Sequence, residues 1–169
     1  FISLAHAASV LVVSVVTVHF TPHATGNLGY SLQAAAGIVT LQTITNLIGR
    51  PLGGWMSDRI GSRMVVILCM VMHAIALLLL AFASALWMLA AFALLNGLAW
   101  GARVPVIVSI RAEYFGSKSF GAIMGISSSV VTVAAVIAPV LAAMAYDALG
   151  SYTISFVILA VLAALGSLF

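Results

Sequence analysis

Apolar runs of about twenty residues, the length a helix needs to cross the hydrocarbon core of a bilayer, follow one another along almost the whole chain. There are six, over residues 2–20, 31–52, 65–82, 86–110, 122–146 and 153–169. The connections between them are short and carry turn chemistry: Thr21-Pro22-His23 through Gly26-Asn27 and Gly29, then a charged stretch around Asp58, then Ser84, then Phe115-Gly116-Ser117-Lys118, then Asp147 to Ser151. None is long enough for an extramembrane domain. With 64% hydrophobic residues, 5% charged residues and a mean hydropathy of +1.30, a soluble domain is excluded. The expectation is an all-α integral membrane protein with six transmembrane helices.

Six Lys and Arg stand against three acids, giving a pI near 9.5. They are too few and too scattered for a nucleic-acid footprint, and what they report is topology. Arg59, Arg63, Arg111 and Lys118 lie in or beside the second and fourth connections, while the first, third and fifth contain no base. By the positive-inside rule the second and fourth face the cytoplasm, in a plasma membrane or a bacterial inner membrane. Tyr30, Trp55, Trp87, Tyr114, Tyr146 and Tyr152 fall near span ends, where an amphipathic ring is at home. Cys69 is alone, so no disulfide forms within the chain. The chain starts at Phe1 without methionine and stops at Phe169 inside an apolar run, and is therefore expected to be a piece of a longer polypeptide.

Four of the nine charged side chains lie within residues 49–63, which reads as a tight, charged hinge between two spans. Its core, Gly54-x-x-x-Asp58-Arg59-x-Gly61-x-Arg63, resembles the loop signature of the major facilitator superfamily of secondary transporters, with Met64 where the family often has another base. The resemblance extends along the chain. Asn96-Gly97-Leu98-Ala99-Trp100-Gly101-Ala102-Arg103-Val104-Pro105, Arg111-Ala112-Glu113-Tyr114-Phe115-Gly116 and Phe120-Gly121-Ala122-Ile123-Met124-Gly125 look like helices ten and eleven of the monocarboxylate and oxalate/formate carriers, and Tyr146-Asp147-Ala148-Leu149-Gly150-Ser151-Tyr152 is similar to their last connection. The resemblance implies that this chain is helices seven to twelve, the C-terminal half of a twelve-helix carrier whose N-terminal half is its natural partner; the competing assignment, to helices one to six, has the signature loop in its favour. It also implies that the signature stretch, with Gly54, Asp58, Arg59, Gly61 and Arg63 and with Arg50 nearby, is a gating element. Its acid meets the positive end of a helix from the other half in one access state only.

The two halves of the chain repeat one pattern. Gly54-x-x-x-Asp58-x-x-Gly61-Ser62 recurs as Ala143-x-x-x-Asp147-x-x-Gly150-Ser151, each copy after the second helix of a group of three. Three is odd, so the two units are oppositely oriented, and the bases agree: Arg59 and Arg63 correspond to Ala148 and Tyr152. This is a 3+3 inverted repeat.

Polar residues inside the spans mark candidate solute contacts. Gln42, Asn46 and Arg50 share one face of the second span; Asn96, Trp100 and Arg103 share one face of the fourth. The third and sixth spans are nearly bare of polar groups and read as lipid-facing. Arg103 is the most informative residue, because a guanidinium inside a span needs water, a counter-charge or a ligand and does not lose its proton. No acid lies inside any span. Arg103 therefore meets the missing half, an anionic solute such as a carboxylate, or helix carbonyls and the inner surface by snorkelling.

His19 and His23 are the proton-coupling candidates, while His6 and His73 are expected to hydrogen-bond between helices. No third ligand accompanies the His19–His23 pair, so no metal site is expected, and no cofactor. Pro51, Pro105 and Pro139 should bend their spans. Gly121 and Gly125 form a Gly-x-x-x-Gly candidate packing face. The serine-elbow and zinc-protease motifs are absent and the Tyr146-Asp147 pair lacks its aspartyl-protease counterpart, so catalysis is not expected. The function expected is secondary transport of a small solute, most of all an organic anion, with protons or a counter-anion as coupling partner. An efflux carrier for drug-like molecules is the alternative within the superfamily, and a six-helix channel or intramembrane enzyme the alternative outside it.

Overall fold

The computed structural model describes residues 2–115 and 120–166. Within them the chain forms α1 (Ile2–Pro22), α2 (Leu32–Ile60), α3 (Ser62–Ala81), α4 (Leu86–Phe115), α5 (Phe120–Leu149) and α6 (Thr153–Gly166), with α1 continuing into a π-helical turn over His23–Asn27. Among the described residues four stretches are long and apolar enough to cross a membrane: His6–Asn27, Ser62–Ala81, Leu86–Tyr114 and Met124–Leu149. In the sixth apolar run the described residues form a helix over Thr153–Gly166. The second yields one of 29 residues, but Arg50, Asp58 and Arg59 make it the most polar of the six.

The charged stretch is not the interhelical loop that the sequence suggests. Gly54 to Ile60 continue α2, and Gly61 alone breaks it before α3 begins at Ser62. At 1.5 Å per residue, α2 is about 43 Å long against a hydrocarbon core of about 30 Å. The charged residues Asp58 and Arg59 therefore stand on the last turns of a helix and not in a loop. Gly61 turns the chain with φ 85° and ψ 144°, a conformation open essentially to glycine alone. Its N–H donates to the Ser57 carbonyl at 3.0 Å, and the Ser57 and Ser62 hydroxyls bond across the turn at 2.8 Å. At the other end of α2, the Ser31 hydroxyl caps the Ala34 N–H. α4 likewise runs past residue 110, so Arg111, Glu113 and Tyr114 lie on its last turns. The break expected over residues 116–118 falls outside the described residues.

The helices pack in a definite pattern. α2 lies along α4 and α1 along α5; α3 lies against α4 and α6 against α1; α3 and α6 meet each other. Exchanging α1 with α4, α2 with α5 and α3 with α6 turns the first member of each pair into the second and returns the α3–α6 contact to itself. The larger buried cluster draws Val12, Val15 and Phe20 from α1, Met70, Leu77 and Leu80 from α3, Phe92 from α4 and Phe156 from α6. A smaller one joins Val65 and Cys69 of α3 to Ala99, Ala102, Val106 and Ile110 of α4.

On the outside of α3, Met64, Leu68, Val71, Ile75, Leu78 and Phe82 form one exposed apolar stripe. α6 exposes Ile154, Ile158, Val161, Leu162 and Leu165. Both faces are suited to lipid, and the two polar residues that the sequence sets into the third span, Cys69 and His73, point inward and are buried.

Candidate functional site

The site is positioned by the crossing of α2 and α4. Here Gly49 and Gly53 of α2 face the α4 backbone, and Gly97 and Gly101 of α4 face α2, each pair in Gly-x-x-x-Gly spacing. A Cβ on Gly53 would overlap the Ala102 backbone, one on Gly97 the Thr45 hydroxyl and Gln42 carbonyl, and one on Gly101 the Asn46 carbonyl. Only hydrogen lets these backbones approach. The pair singled out from sequence, Gly121 and Gly125, has nothing within 4 Å of where a Cβ would stand. Among the described residues that face of α5 is not close-packed, and α5 makes its main contact with α1.

Close approach brings side chains from three helices within bonding reach. The Gln42 amide of α2 donates to Asn96 Oδ1 of α4 at 3.0 Å, and Asn96 Nδ2 stands 3.3 Å from His73 Nδ1 of α3. Because the Asn96 oxygen is the acceptor from Gln42, its amide nitrogen is the donor to His73. His73 Nδ1 must then be the bare nitrogen and Nε2 the one carrying hydrogen. Asn96 and His73 are fully buried and Gln42 nearly so, and among the described residues His73 Nε2 has no hydrogen-bond partner. Thr45 adds another tie, donating to the Ala93 carbonyl of α4 at 3.1 Å while also within reach of Leu41 and Gln42 carbonyls on its own helix. Asn46 is half-buried with its carbonyl against Gly101, and Trp100 is half-buried on α4.

Two turns along α4 from Asn96, Arg103 is 1% exposed. Its Nη1 donates to His6 Nδ1 of α1 at 2.6 Å, and among the described residues its Nε has no partner. The partner that the sequence demanded of this arginine is an imidazole acting as acceptor, and among the described residues no acid stands beside it. The three acids Asp58, Glu113 and Asp147 are all exposed. Arg111, two further turns along, is buried and reaches α5, donating to the Ser127 hydroxyl at 2.8 Å and facing the Met124 sulfur at 3.3 Å. Sequence reading missed this role, assigning Arg111 only to topology. Its signal was the same as for Arg103, a base within the apolar helix.

The remaining candidates sort by place. Arg50, Asp58, Arg59 and Arg63 are exposed, with the Arg59 guanidinium 5.0 Å over the Trp55 ring. His19 and His23 are buried in the contact between α1, α5 and α6. His19 Nε2 donates to the Pro139 carbonyl at 2.9 Å, and the His23 ring stands edge-on to Tyr152 and Phe156. Tyr152 in turn stacks on Tyr146 at 4.2 Å. A crevice of about 110 Å³ beside Cys69, between α2, α3 and α4, is lined by Gly49, Leu52, Met56, Val65, Leu98 and Ala102 among others. It offers a polar solute no hydrogen bond.

Comparison with known proteins agrees with a fold of long apolar helices. The sequence model of the Major Facilitator Superfamily matches residues 2–169. The chain belongs to the major facilitator superfamily. Relatives within it are diverse. The multidrug export protein EmrB of Escherichia coli K12 is 28% identical over 120 residues, covering 71% of this chain and 23% of that protein. Monocarboxylate transporter 13 of Rattus norvegicus is 27% identical over 143 residues, 83% of this chain and 33% of the transporter. The class B tetracycline resistance protein of Escherichia coli is 41% identical over 76 residues, 45% of this chain and 19% of that protein. The chain thus spans about a third or less of the curated facilitators it matches.

Proposed function

We propose that this chain is the C-terminal six-span half of a facilitator carrier, built as a 3+3 inverted repeat, which moves a small organic anion by alternating access. The neighbour pattern supports the repeat, since exchanging the first three helices for the last three maps each main contact onto its counterpart. So does the pairing of Gly61 with Gly150, the positive-φ residues that end α2 and α5. The signature stretch faces the cytoplasm, and Asp58, Arg59 and Arg63 form a gate with the N-terminal half. Their exposure supports this, because charged groups placed to meet a partner must not be consumed by contacts inside their own half.

The observation that carries the anion reading is Arg103, a buried guanidinium with its Nε unpaired and no acid beside it. Asn96 and Gln42 hold the adjacent crossing in shape, and Trp100 and Asn46 flank it. Uptake by the full-length protein across labelled carboxylates, amino acids and cationic dyes tests the reading. Arg103→Lys keeps the charge and loses the fork, so carboxylate uptake falls; Arg103→Gln nearly abolishes it. Normal carboxylate uptake by a folded Arg103→Gln protein would remove the support. The likeness to multidrug and tetracycline proteins favours a second reading, export of drug-like molecules, and the cationic-dye arm of the panel separates the two.

A further inference from the structure

We propose that Ser9, His73 and Arg103 form a resident binding site for a small monovalent anion of the halide class, buried where α1, α3 and α4 meet. Such a site does not depend on what the carrier moves: the halide takes the Nε edge of the guanidinium, and Nη1 and Nη2 remain for His6 and a solute.

Three polar atoms point to it. Among the described residues Ser9 Oγ, His73 Nε2 and Arg103 Nε have no hydrogen-bond partner, and their residues are 0%, 0% and 1% exposed. All three can donate. Arg103 has only donors. The His73 tautomer, set by Asn96 at Nδ1, places its hydrogen on Nε2, and a hydroxyl turns its hydrogen toward whatever accepts. Ser9 is the exception on its own helix. Ser14 and Thr17 return their hydroxyls to the Leu11 and Val13 carbonyls, the ordinary fate of a helical hydroxyl with nothing else to meet.

The three groups stand at one depth. The His6–Arg103 and Phe20–Phe92 contacts register α1 against α4 in antiparallel sense, which sets Ser9 opposite the turn of α4 between Asn96 and Arg103. Helical spacing places Ser9 on the same face of α1 as His6 and Phe20. The Asn96–His73 contact and the packing of Cys69 against Ala99 and Ala102 register α3 against α4, again antiparallel. Helical side chains lean toward the N-terminus of their own helix. In an antiparallel pair His73 therefore leans toward Cys69 and Arg103 toward Ala99, so the two close on each other. Arg103 acts electrostatically on both Cys69 and His73. The side chains at this depth, Ser9, Cys69 and Ala99, are small and buried, which suits a monatomic ligand better than a carboxylate with its carbon chain.

Charge decides between an anion and a water. A buried water would satisfy the three donors, but a guanidinium keeps its proton and its charge needs a counter-charge at this depth. Asp58, Glu113 and Asp147 are exposed, and Arg111, two turns along α4, is a second cation that acts on Arg103. A halide accepts from all three donors and cancels one positive charge. It also ties α1 to α3 and α4, which α1 otherwise touches sparingly. Stability then rises with halide concentration, because the ion binds the folded protein and not the unfolded chain.

The test is equilibrium binding of radiolabelled chloride to the purified full-length protein in detergent, by scintillation proximity in a gluconate background. Saturable binding of one chloride per chain is expected, displaced by bromide and not by gluconate or sulfate. Ser9→Ala removes one donor and should weaken chloride binding about tenfold; Arg103→Gln should abolish it. Thermal unfolding gives a second readout. Ser9→Ala deletes a buried hydroxyl that no protein group meets, so in gluconate it should melt at or above wild type, and in chloride it should lose most of the rise that wild type gains. No saturable chloride binding by wild type overturns the proposal and leaves a water as the acceptor. Chloride binding that Ser9→Ala leaves unchanged overturns it as well, since the ion then sits elsewhere. The carboxylate panel reads a different property: chloride binding without carboxylate uptake removes the anion reading and keeps this site, and carboxylate uptake without chloride binding does the reverse.

Discussion

Gly53 of α2 rests directly against the backbone of Ala102 in α4, so that a methyl group at Gly53 would have to displace a main chain and not a side chain. The Arg103 guanidinium begins at the next residue of α4. The glycine thus fixes the depth and separation at which the buried cation is held.

Gly53→Ala and Gly97→Ala should each destabilise the protein by about 1–3 kcal/mol or more, the range for overpacking a tight contact. Thermal unfolding of the full-length protein in detergent, followed by fluorescence size-exclusion, should show both melting below wild type. Gly125→Ala, with open space around it in this half, should melt closer to wild type than either.

Gly61 and Gly150 end α2 and α5 with φ of 85° and 67°, and each donates its N–H four residues back, to Ser57 at 3.0 Å and Tyr146 at 2.7 Å. Alanine at either is strained by about 1–3 kcal/mol. The same detergent melts should register the loss. Gly26→Ala, where the backbone is helical and open, serves as the comparison and should lose less.

Asn96→Leu removes the middle of the Gln42–Asn96–His73 chain and strands two buried polar groups, at a cost of about 1–3 kcal/mol. A double-mutant cycle with His73→Phe should show that part of this cost disappears when His73 is already gone. Strict additivity would mean that the Asn96–His73 contact contributes nothing.

Cysteine at Ser62, in a Cys69→Ser background, should react with an impermeant maleimide only when the cytoplasmic face is exposed. Ser62 is half-buried at the turn, so labelling is slow but directional, and reaction in intact cells would invert the proposed topology. Asp58→Asn should lower transport rate more than solute affinity, because a gate contact acts on the access equilibrium; lost binding at unchanged turnover would move Asp58 into the site.

The reading from sequence located the helices because apolar length is a local property. Its boundaries erred at α2 and α4, where charged residues looked like loop and were helix: a helix leaving the hydrocarbon keeps its hydrogen bonds, and only Gly61 has the backbone freedom to end α2. The polar stripes were also visible, since a residue such as Arg103 or Asn96 is conspicuous against so apolar a background. Their partners were not visible. Gly121 and Gly125 have the same spacing as Gly97 and Gly101, and no local feature tells which pair meets another backbone.

By itself, then, the sequence determined that the chain is helical and apolar, and that an arginine and two amides, Arg103, Asn96 and Gln42, lie inside its apolar runs. Each follows from residue type and spacing along one strand of chain. The tertiary structure alone decided that Arg103 faces His6 across 97 residues of sequence, that Asn96 bridges Gln42 and His73, and that α2 and α4 cross on four glycines. Those facts depend on the rotation and depth of one helix against another. In a membrane, where apolar burial gives helices little reason to prefer one face, small differences in close packing and hydrogen bonding set that arrangement.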